Sequence, residues 1–125
     1  MFGFLGRFGR ARELRQLDDA LRAVDLHPAL VPDAVELTAV RLLQAECGTP
    51  GPADYAATAE LIAYCMIGAS NFTAANDLAT AEAVAARIEA AIDDGESLDA
   101  RLVLLLLHAG LVQAGVVERF GLEAG

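Results

Sequence analysis

Leu14, Leu17, Leu21 and Val24 recur at steps of three and four residues, with Arg15, Asp18, Asp19 and Arg22 on other faces. That is the period of an α-helix with one apolar stripe. A residue preceding proline avoids the helical region, so this first helix is expected to end before Pro28. Pro32 is expected in the first turn of a second helix, where its missing N–H costs nothing. Asp33 and Glu36 suit the positive end of that helix. Val35, Leu42 and Leu43 share a face, and Leu37 and Val40 widen the apolar sector.

The run Cys-Gly-Thr-Pro-Gly-Pro over 47–52 is the strongest punctuation in the chain. A third helix follows from about Ala53. Tyr55, Ala59, Ile62, Cys65 and Met66 form its stripe, while Leu61, Tyr64 and Ile67 make the other side apolar too, so it should be central. Gly-Ala-Ser-Asn over 68–71 reads as a break, followed by a short turn through Phe72. A fourth helix, Asp77 to Asp94, turns Ala81, Val84, Ala85, Ile88 and Ile92 inward, and Gly95 is suited to stop it. Ser97 caps a fifth. Its uninterrupted apolar run from Leu102 to Leu107 predicts a hub buried nearly all round. Gly110 and Gly115 mark a stop or a close helix approach, and a last short helix, Val116 to Phe120, ends at Gly121. The pattern is that of an all-α protein, a single compact bundle of five to six helices with short loops. It spans residues 10–125.

Residues 1–9 break this pattern. Three of the five phenylalanines (Phe2, Phe4 and Phe8) lie there, and no acidic residue precedes Glu13. Arg7, Arg10 and Arg12 make the segment basic, whereas four arginines face fifteen Asp and Glu from residue 23 onward. Wound as a helix, it would cluster Phe4, Leu5 and Phe8 while Arg7 and Arg10 reach outward. Phe2, Phe4, Leu5, Arg7, Phe8 and Arg10 are thus the candidate interaction arm. Packing on the bundle or a sister subunit, contact with a protein partner, and attachment to a membrane surface are the roles it suits. Membrane attachment is the least favoured: a buried Phe contributes about 1.5–3 kcal/mol and an Arg near anionic lipid about 1 kcal/mol. Partial insertion and the ordering of Gly3, Gly6 and Gly9 reduce that total to a weak attachment.

Composition supports a packed core: 55% of the 125 residues are hydrophobic and 22% charged, too apolar for a disordered chain. A net charge of −9 argues against nucleic acid as the partner. Cys47 and Cys65 lack CxxC spacing and are expected as free, buried thiols in a reducing cytosol. Arg7 and Arg10 interrupt any secretory h-region, and the apolar stretch Leu102–Val112 is too short to span a bilayer. A soluble cytoplasmic protein is the expectation.

Chemistry-bearing patterns are sparse. His108, alone on the fifth helix, has only His27, Cys47, Cys65 and scattered carboxylates as companions, none at metal-ligand spacing. It is expected as a core histidine bonded to a carbonyl or to Tyr55 or Tyr64. Cys65 and Met66 read as packing. Asp93, Asp94, Glu96 and Asp99 lack the alternation of a calcium loop and read as a solvated connection. The Gly3, Gly6, Gly9 series follows no strand, so it is not a phosphate loop. No catalytic residue, metal ligand or cofactor is expected. The leading expectation is a non-enzymatic protein acting through protein–protein contact, as a homodimer or with another protein. One alternative is an apolar small-molecule or cofactor pocket lined by Tyr64, Cys65, Met66, Leu105 and His108; the other is a peripheral membrane protein held by its arm.

Overall fold

Seven α-helices and no strand are formed among residues 11–123, which the computed structural model describes. They are α1 (Arg12–Ala23), α2 (Asp33–Cys47), α3 (Pro52–Ile67), α4 (Ala69–Ala75), α5 (Leu78–Asp93), α6 (Leu98–His108) and α7 (Ala114–Phe120), with a 3-10 turn at Pro28–Leu30. The arm residues Phe2, Phe4, Leu5, Arg7, Phe8 and Arg10 lie outside the described residues. The all-α class is as expected, but the helix count exceeds the five to six that the pattern suggested. Gly68 alone breaks the chain, and a helix resumes at Ala69 where a four-residue break was expected.

Local chemistry accounts for most helix ends. Asp77 Oδ1 accepts from the Thr80 N–H at 2.7 Å at the start of α5, and Ser97 Oγ accepts from Ala100 N–H at 3.1 Å at the start of α6. Pro32 lies one residue earlier than expected, in the cap position before α2. Helix α1 stops ahead of Pro28 by its own device. Asp25 adopts φ 65°, and the Leu26 N–H donates to the Leu21 carbonyl at 3.0 Å. This is the Schellman closure, usually built on glycine.

Side-chain contacts fix the directions. Asn76 Nδ2 donates to the Val24 carbonyl at 3.2 Å, joining the ends of α1 and α4. At the opposite end of α1, Tyr55 at the start of α3 is pushed up in pKa by burial and by nearby Glu13. Helices α1 and α3 pack directly against each other, and α2 packs against α1 and α6. Arg87 of α5 reaches the Ala57 carbonyl of α3, so α5 descends along α3. Helix α6 ascends again, since the Gln113 N–H that follows it donates to the Cys65 carbonyl at 2.7 Å. Short α4 and α7 close the end of the bundle where α3 terminates.

Helix α3 packs against α1, α4, α5 and α6, and holds Ala59, Leu61, Ile62, Ala63, Tyr64 and Cys65 in the core. Its expected central place holds. Three expected inward positions do not. Leu37 is 38% exposed, Ile92 is 52% exposed with Ala91 buried instead, and Leu104 is 41% exposed. Among the described residues, α6 is thus covered by α2, α3 and α5, with Leu104 left outward. Cys47, expected buried, is exposed, while Cys65 is buried and its thiol is pushed up to about 12 by that burial. Among the described residues no helix is long and apolar enough to cross a membrane.

Candidate functional site

The closed end of the bundle carries a cleft of about 220 Å³ between the end of α3 and the starts of α4 and α7. Gly68 makes it possible. At φ 88° and ψ 165° its backbone lies in a region that glycine alone enters readily. A Cβ there would stand 2.6 Å from Gln113 Oε1, so the Gln113 amide lies directly over the Gly68 backbone. Gly68→Ala is expected to cost about 1–3 kcal/mol from backbone strain, with a further loss from the clash. Urea unfolding of Gly68→Ala with and without Gln113→Ala separates the two: only the clash is relieved in the double variant.

Beside Gly68, the buried Tyr64 meets Phe72 edge-on at 5.7 Å and Phe120 at 6.4 Å between ring centroids. Burial raises the Tyr64 phenol pKa, and Arg119 partly offsets this. Arg119 Nη1 donates to the Tyr64 hydroxyl at 3.0 Å, and its guanidinium carbon lies 5.0 Å from the Phe120 ring centroid. No carboxylate among the described residues pairs with Arg119.

A second feature lies on the bundle's flank. Helices α2 and α6 pack against each other, and each turns a row of exposed residues outward. On α2 these are Asp33, Leu37 and Arg41, at successive four-residue steps; on α6 they are Arg101, Leu104 and His108. Residues so spaced share one helix face. Among the described residues no carboxylate pairs with Arg41 or Arg101. Two leucines and two arginines thus occupy adjoining ridges of a chain whose net charge is −9.

Of the expected pocket residues, the cleft is lined by Tyr64 alone. Cys65 is fully buried, Met66 and Leu105 are half-buried, and His108 is exposed. The core-histidine expectation is therefore corrected: His108 is exposed, and among the described residues α6 is covered by α2, α3 and α5 on its other side. Asp99 is also misread by its sequence. It leaves the acidic cluster to take a bidentate contact from Arg87, Nε to Oδ2 at 3.0 Å and Nη2 to Oδ1 at 2.8 Å. Arg119 and Gln113 gave no signal in sequence, since their partners are distant along the chain. Among the described residues no cluster of three or more His, Cys, Asp or Glu is placed to hold a metal ion.

No protein-family model matches the chain, and neither a curated protein nor a solved structure matches it.

Proposed function

We propose that this is a non-enzymatic helical protein that acts through protein–protein contact, self-associating through the outer face of α2 and α6. The observation that supports it is a pair of exposed leucines, Leu37 and Leu104, on adjoining ridges flanked by Arg41 and Arg101. A two-fold axis through Leu37 sets α2 against its copy in antiparallel register. Leu37 then meets Leu37, so the apolar centre of the surface is complementary to itself. Leu104 and Arg101 extend the contact on the neighbouring ridge. A reducing compartment such as the cytoplasm suits its two unpaired cysteines.

The area is modest and the association accordingly weak. Native mass spectrometry across micromolar concentrations should show a dimer that grows with protein and is lost in Leu37→Glu/Leu104→Glu. Arg41→Asp alone should weaken it. A strict monomer, or a dimer indifferent to all these variants, removes the proposal.

A further inference from the structure

We propose that the cleft between α3, α4 and α7 binds a small monocarboxylate with a short apolar tail, its carboxylate held by Arg119. This does not rest on the self-association reading, which concerns another face.

Three observations carry it. The first is an available guanidinium. Arg119 spends one N–H on Tyr64, while a guanidinium has five in a planar fork that matches a carboxylate. The second is preorganisation. Tyr64 is 1% exposed and fixed between Phe72 and Phe120, and it anchors Arg119 from below while the Phe120 ring backs it. Much of the ordering cost of a long side chain is thereby met before a ligand arrives. The third is the mixed lining. Ile67, Ala69 and Val116 offer apolar surface, while Asn71 and Gln113 bring amides.

Size and charge narrow the class. The cleft, at about 220 Å³, is smaller than the roughly 300–1,000 Å³ of sites for drug-sized molecules. One arginine lines the cleft and, among the described residues, no second cation does, in a chain whose net charge is −9. A second negative charge on the ligand would therefore meet repulsion without a partner. A single carboxylate on a short hydrocarbon fits both constraints.

The test is a titration of the full chain, labelled with nitrogen-15, with sodium butyrate, followed by amide chemical shifts. Saturable shifts are expected at Gly68, Asn71 and Gln113, with a millimolar dissociation constant in keeping with so small a ligand. Arg119→Gln should weaken binding about tenfold, the effect of removing a charge-assisted pair. Ser70→Asp leaves Arg119 in place and sets a competing carboxylate in the cleft, at an exposed first-turn position that tolerates an acid. It should weaken butyrate comparably. Absence of saturable shifts in the unaltered chain would overturn the proposal. So would 1-butanol or inorganic phosphate binding as tightly as butyrate, or a butyrate affinity that both variants leave unchanged.

Discussion

Phe72→Ala is expected to lower the unfolding free energy by about 3–5 kcal/mol, the range for emptying a buried aromatic site. Phe72 is 0% exposed and sits on α4, a helix of seven residues that joins α3 to α5. A helix that short has little stability of its own. It is held by what its side chains bury, and Phe72 is the residue on it that is fully buried. The ring also stands edge-on to Tyr64 at an interplanar angle of 62°, a geometry contributing about 0.5–1.5 kcal/mol beyond area. Truncation should therefore loosen Tyr64 and, through it, Arg119. A domain with roughly 5–15 kcal/mol to lose would become marginal. Urea unfolding measures the change, and hydrogen exchange should place the earliest opening in α4. A loss below about 1 kcal/mol, smaller than most core truncations, would mean that Phe72 is not the anchor.

Arg87→Ala is expected to cost about 2–3 kcal/mol, below the range for a fully buried pair because the site is partly wet. The side chains of Arg87 and Asp99 are 26% and 25% exposed. Arg87 grips Asp99 with two N–H groups and gives a third to the Ala57 carbonyl at 3.0 Å, with Glu60 Oε1 a further 3.8 Å contact. One guanidinium thus ties α3, α5 and α6. Its removal leaves the Asp99 carboxylate and a backbone carbonyl without their donors, and the penalty is largely that desolvation. Lysine cannot form the fork, so Arg87→Lys should recover about half of the loss. A double-mutant cycle with Asp99→Asn, read by thermal unfolding, isolates the pair. If Arg87→Ala changed stability by less than about 0.5 kcal/mol, the contact would rank with exposed ion pairs.

Sequence alone was sufficient for the helical class, and nearly so for the helix boundaries. Both are local: alanine and leucine at helical spacing, proline and glycine between them, and caps at Asp77 and Ser97 are chosen by neighbours a few residues away. The extra helix escaped notice because Ser70 and Asn71 look like loop residues. Phe72 overrides that preference by burying its ring. The outward faces also escaped. Periodicity says that Leu37, Ile92 and Leu104 are apolar, but only the placement of neighbouring helices decides whether anything covers them.

The cleft was visible along the chain only through Tyr64, and the reason is distance. Arg119 and Tyr64 are 55 residues apart, and Arg87 and Ala57 are 30 apart. No spacing rule links them. Residue type determined what this chain builds, a set of alanine-rich amphipathic helices. Packing decided which polar groups meet and which leucines stay in water, because a helix face carries no record of its neighbour until the two have docked.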